Sequence, residues 1–393
     1  MKKLRQFIDK IKPNFVEGGR FAALQSTFEA FETFAFAPNT VTKKGCHLRD
    51  AVDMKRSMIT VVIALVPALL FGMWNIGYQS AVADPESWRW ATSVWSCWWF
   101  GFLRMLPLIV VSYVVGLAIE FMFAQIRHHE VNEGYLVTGL LIPMIVPVTT
   151  PLWQLALAVA FAVVIGKEVF GGSGMNFLNP ALVARAFLFF SYPTHLSGDA
   201  VWIARGRWGT DAIAGATPLG ELAAGSDVGS MHYTFSDMFL GIIPGCCCET
   251  SVPAILLGAL VLLFTGIASW RIMLSVVLGG GLMGLVFNLI GANAMMEVPF
   301  YYQFVMGGFM FGAVFMATDP VTSAQTNAGK WIYGLLVGAF AVMLRVLNPA
   351  YPEGMMLSIL LMNCFAPLID HCVVARNIRM RNRRALARKE ASK

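Results

Sequence analysis

The stretch DAIAGATPLG, from Asp211 to Gly220, is polar within a very apolar sequence. Gly215 and Ala216 lead to the Thr217 hydroxyl, and Pro218 prevents a helix from running through it. One reading is a helix start with Thr217 as its N-cap. The other is a modification site, since an enzyme that attaches a group to a hydroxyl needs it accessible, on backbone with little side-chain bulk.

A second constellation is GKEVFGGSGMNFLNPALVARAF, from Gly166 to Phe187. Its glycines and proline unwind the chain at membrane depth, which is tolerated only where protein or a cavity surrounds the backbone. Asn176 and Asn179 lie three apart at the start of an apolar span, where free N–H groups favour negative charge. They either cap that helix or hydrogen-bond a polar, electron-accepting ring. A third set is Glu120, Asp319 and Asp370, acids within or beside apolar spans. Ionisable groups there are costly and tend to be functional, although all three fall near expected inner ends, where a side chain reaches water. Arg104 and Arg185 are suited to pair with acids or an anionic ligand. Seven cysteines without Cys-x-x-Cys spacing indicate neither a disulfide framework nor a metal site, and Cys246, Cys247 and Cys248 read as small apolar residues.

The elements that must position these residues are membrane helices. The chain has 393 residues, 57% hydrophobic and 13% charged, against about a quarter charged in soluble domains. The net charge of +6 does not point to nucleic acid, because 11 of the 29 Lys and Arg precede Ser57 and 8 follow Asp370. Basic ends follow the positive-inside pattern, so both termini are expected in the cytoplasm. No cleavable signal peptide is read at the start of the chain.

Apolar segments near 57–77, 98–124, 134–150, 152–170, 180–193, 250–268, 272–291, 300–318, 331–347 and 354–372 predict about ten transmembrane helices. The expected fold is an all-α polytopic membrane protein with a broken helix near the fourth and fifth spans. Residues 1–56 form a cytosolic arm, 57–193 a first membrane repeat and 194–249 an outer loop holding Thr217. Residues 250–372 form a second repeat and 373–393 a basic cytosolic tail. Pro143 with Trp153 echoes Pro320 with Trp331, and Phe161-Ala162-Val163 echoes Phe340-Ala341-Val342. Five spans per half is odd, so the second copy must be inverted. Gly279 to Gly284, Gly307 to Gly312 and Gly334 to Gly338 are expected to be close-packing faces.

The chain resembles the family of the B subunit of the bacterial sodium-translocating NADH:quinone oxidoreductase, and its relative, the D subunit of the Rnf complex. The resemblance is carried by HLRDAVDMKR (His47 to Arg56), HEVNEG (His129 to Gly134), the Gly166–Phe187 stretch, GATPL (Gly215 to Leu219), ETS (Glu249 to Ser251) and MATDPV (Met316 to Val321). It implies FMN on Thr217 through a phosphoester bond, within a signature matched by Asp211, Gly215 and Ala216. Ala214 stands where that signature has Ser or Thr. It also implies non-covalent riboflavin near Asn176 and Asn179, a quinone site associated with Gly116, and sodium handling by Glu120, Asp319 and Asp370. The expected partners are the other subunits of a membrane redox complex, a flavin-transferring enzyme, ubiquinone or menaquinone, and sodium ions. The expected location is the bacterial inner membrane, with Thr217 on the periplasmic side. An Rnf-type ferredoxin:NAD complex is the alternative reading, favoured less because of the long basic arm. Asn-Pro-Ala at Asn179 and again at Asn348 resembles a channel motif, but a channel gives no reason for GATPL.

Overall fold

The computed structural model describes residues 54–84, 93–127, 134–196, 198, 201–204, 215–226, 228–348 and 353–391, with isolated residues before them. Asp211, Ala214 and most of the arm 1–56 lie outside the described residues. Those described form helices and no strand. In hydrocarbon each backbone N–H and C=O must be answered within the protein, and apolar runs answer them by winding into helices.

Two long helices open the membrane part, α1 (Met54–Ala83) and α2 (Val94–Arg127). They lie side by side because Gly77 and Gly101 carry no side chain: a Cβ on Gly101 would overlap the Met73 carbonyl. Three shorter helices follow: α3 (Tyr135–Met144), α4 (Leu152–Gly166) and α5 (Pro180–Ser191). The chain then crosses the polar segment through α6 (Pro218–Ala223) and α7 (Phe235–Leu240). Beyond it come α8 (Val252–Thr265), α9 (Trp270–Ile290), α10 (Asn327–Leu347) and α11 (Met355–Ala391). The expected glycine faces at Gly279 and Gly338 do bring α9 and α10 together, each lying against a carbonyl of the other helix.

Six of these helices are long and apolar enough to cross a membrane, α4 when taken with the turn that continues it to Phe170, whereas α3, α5 and α8 have only 10–17 residues. The expected span at 300–318 is not one helix. It is made of short turns at Tyr302–Val305 and Phe309–Phe311 followed by a π-helical stretch, Gly312–Met316. Gly307, with φ of +59°, separates them. The break between α4 and α5 is present as expected, turning through Gly171, Gly172 and Gly174 at positive φ.

Unwound backbone inside the protein is answered by specific donors. After α3, the Met144 and Val146 carbonyls accept from the N–H groups of Cys248 (3.1 Å) and Cys247 (3.3 Å), and the Ile145 carbonyl accepts from Arg185. In the second break, Arg345 donates to the Gln303 carbonyl at 2.6 Å and the Met306 carbonyl at 2.9 Å. The cysteine run therefore serves as compact, buried packing, as the sequence suggested, and its backbone also closes the first break.

Candidate functional site

Asn179 caps α5: its Oδ1 accepts from the Ala181 N–H at 3.0 Å, and its Nδ2 donates to Asp319 Oδ2 at 3.4 Å. Asn176 donates to the Leu178 carbonyl at 2.9 Å. Asp319 also accepts from the Val321 N–H at 3.1 Å and the Thr322 hydroxyl at 3.0 Å. Residues 140 positions apart are thus brought to one place, because the break before α5 and the break before α10 meet.

Both breaks open onto a cavity of about 190 Å³. Its polar wall is made by Thr138, Lys167, Asn176, Asn179 and Asp319, and Phe315 and Leu262 are among its apolar lining. Lys167 is 4% exposed and ion-paired with Glu120 of α2. A lone buried charge in this setting would be prohibitive, so each of the two makes the other tolerable. Next to them, Arg127 donates to the Glu168 carbonyl at 2.7 Å and lies 3.4 Å from its carboxylate.

Gly116, expected at a quinone site, is buried in α2 under the ring of Tyr135, which a Cβ there would overlap. Tyr135 donates to the Ser112 carbonyl at 2.8 Å, and the Lys167 ammonium sits 5.8 Å from its ring centroid. Gly116 therefore reaches the cavity wall through Tyr135 and Lys167. Asp370 stands apart from the cavity. It holds the start of α10, accepting from the N–H groups of Gln325 (2.6 Å) and Thr326 (2.9 Å) and from the Thr326 hydroxyl (2.5 Å).

Thr217 is the N-cap of α6; its Oγ1 accepts from the Gly220 N–H at 3.0 Å. The side chain is half-buried, Gly215 and Pro218 are buried, and Leu219 points into the core. Near it, His232 lies 2.9 Å from Glu221. Of the two arginines singled out in the sequence, Arg185 is fully enclosed and paired with Glu249 and Glu353, and Arg104 lies over the Phe100 ring. Lys167, Tyr135 and Arg345 join these residues only in the structure. For Arg345 the signal was present, a cation within the apolar run of α10.

Broken helices enclosing a polar cavity among apolar spans define a polytopic helical membrane protein. The chain belongs to the NQR2, RnfD, RnfE family, whose model matches residues 41–379. It is 50% identical to the B subunit of the Na(+)-translocating NADH-quinone reductase of Ectopseudomonas mendocina (strain ymp), over 96% of this chain and 98% of that protein. The same-named protein of Azotobacter vinelandii is 49% identical with the same coverage. That of Chromohalobacter salexigens is 46% identical over 98% of this chain and 97% of its own length.

Proposed function

We propose that this chain is the membrane-embedded B subunit of a sodium-translocating NADH:quinone oxidoreductase, bearing FMN on Thr217 and riboflavin at the inner cavity, and passing electrons to quinone coupled to sodium uptake. The observation that carries the reading is identity near one half, over almost the whole length, with proteins of that name. The other subunits, a flavin-transferring enzyme and the bacterial inner membrane follow from the same reading.

The chain's residues fit the groups they would hold. Thr217 presents a half-buried hydroxyl on a segment bounded by Gly215 and Pro218. The inner cavity presents amide, hydroxyl and ammonium groups from Asn176, Asn179, Thr138 and Lys167, which suit a ring with carbonyl and ring-nitrogen acceptors. A bound flavin would supply one-electron chemistry at each site. Lys167 and Glu120 set the charge at the cavity wall, and Asp319 offers an acceptor at which a cation offsets negative charge arriving nearby. The protein's contribution is binding, orientation and electrostatics.

The ten-crossing, inverted-repeat arrangement, with the units 57–193 and 250–372, belongs to this proposal. It is supported by the order of elements. In each half the third apolar segment, the short helix α3 or the broken stretch 300–318, leads into a proline turn, Pro147-Val148-Thr149-Thr150 or Pro320-Val321-Thr322-Ser323, before the fourth.

The test is flavin fluorescence on the band of this chain in a denaturing gel. Thr217→Ala and Thr217→Asn should both abolish it along with quinone reduction, and Thr217→Ser should retain part of it. The asparagine variant keeps an acceptor for the α6 cap, whose loss in the alanine variant costs about 1 kcal/mol. Fluorescence persisting in Thr217→Asn would place the flavin elsewhere.

A further inference from the structure

Four charged side chains outside the sites above meet about 9 Å beyond Asn179 along α5, taking 1.5 Å per residue. They are Arg185, Glu249, Arg345 and Glu353, and the two arginines are the largest fully buried side chains among the described residues. Arg185 donates to Glu249 Oε1 at 3.2 Å and also to Glu353. Arg345 donates through Nε to the Glu353 carbonyl at 2.9 Å. The buried Cys246 side chain lies beside them.

The two carboxyl groups also face the same space, with Glu249 Oε2 and Glu353 Oε1 both pointing at the Gly308 backbone. Two ionised carboxylates facing one another repel, and a proton on one of them relieves that repulsion. Gly308 permits the approach. A Cβ there would overlap Glu249 Oε2 and come within 3.1 Å of Glu353 Oε1. Glu249 Oε2 meets no hydrogen-bond donor among the described residues. Burial raises the Glu353 carboxyl above its ordinary value; Arg185 and Arg345 oppose the shift and Glu249 adds to it. With one proton between the two carboxyl groups, they and the two guanidinium groups carry a single positive charge.

That charge lies beside the Thr217 segment. The position of a Cβ on Gly307 is 2.7 Å from Leu219 Cδ1, 3.4 Å from Arg345 Nη2 and 3.9 Å from Glu353 Cγ. Leu219 is two residues beyond Thr217, and its side chain is 5% exposed. We propose that Glu249 and Glu353 form an acid–base site sharing one proton, and that its proton affinity is coupled to the charge on the group carried by Thr217. Only the second half rests on the reading of Thr217 given above. An electron placed on that group raises the site's affinity for its proton, and by reciprocity the bound proton makes the group easier to reduce. Exclusion of water from the quartet keeps this interaction from being screened.

Infrared difference spectroscopy on the purified complex tests both halves. A protonated-carboxyl band should disappear as pH is raised in the wild type and be missing from Glu353→Gln. The glutamine amide still donates to Glu249, so that variant keeps the packing. A wild type without the band, or a band unchanged in Glu353→Gln, would overturn the shared proton. On reduction with NADH the band should gain intensity in the wild type, and this response should vanish in Thr217→Asn. A response surviving in Thr217→Asn that has lost its covalent flavin would overturn the coupling and leave the shared proton standing. Failure of the Thr217 assignment itself would appear separately, as fluorescence retained on the gel band.

Discussion

At Gly116 the missing side chain is occupied space: the Tyr135 ring lies where a Cβ would be, and Lys167 sits next to that ring. Gly116→Leu should therefore act by displacing Tyr135, at a cost of about 1–3 kcal/mol for overpacking. A lowered thermal midpoint and impaired quinone reduction are expected together, and Tyr135→Ala in the same chain should recover part of the stability. If the double variant is no more stable than Gly116→Leu alone, Gly116 meets its ligand directly. The two aspartates separate on similar grounds. Asp319 lines the cavity and meets Asn179, whereas Asp370 ties three donors at the start of α10. Asp319→Asn should weaken the sodium stimulation of turnover with both flavins retained. Asp370→Asn should lower stability by about 2 kcal/mol, since hydrogen bonds to a charged acceptor are strong, while its sodium dependence stays near wild type. A sodium titration beside a melting curve for each variant decides; the reverse pattern would exchange their roles.

Among the elements, hydropathy located most of the helices to within a few residues, and α9 and α10 fell almost where the apolar runs at 272–291 and 331–347 put them. It failed at 300–318 because composition reports apolar content and not backbone path. Gly307, Gly308 and the π-helical turn make that stretch a packed break answered by Arg345. The Asn176 and Asn179 break was legible from its glycines and proline. Its meeting with Asp319 was not, since nothing local to either stretch specifies a partner 140 residues away. The quartet of Arg185, Glu249, Arg345 and Glu353 was hidden for the same reason, each charge standing alone in its own segment. An inverted arrangement of the two halves predicts that reporter fusions after Asp199 and after Lys393 lie on opposite sides of the membrane. Both on one side would remove it.

At the scale of the whole molecule, the proposed function brings together the Thr217 segment, a buried charge quartet near it and a polar cavity between two broken stretches. These are useful together only if electron transfer and cation uptake are linked. The most direct measurement is NADH-driven quinone reduction by the purified complex containing this chain, followed as sodium is titrated from trace levels at constant ionic strength. The account predicts a rate that rises saturably with sodium and a response much reduced by Asp319→Asn. Quinone reduction that is absent, or indifferent to sodium, would contradict it and favour the ferredoxin-linked relatives of the family.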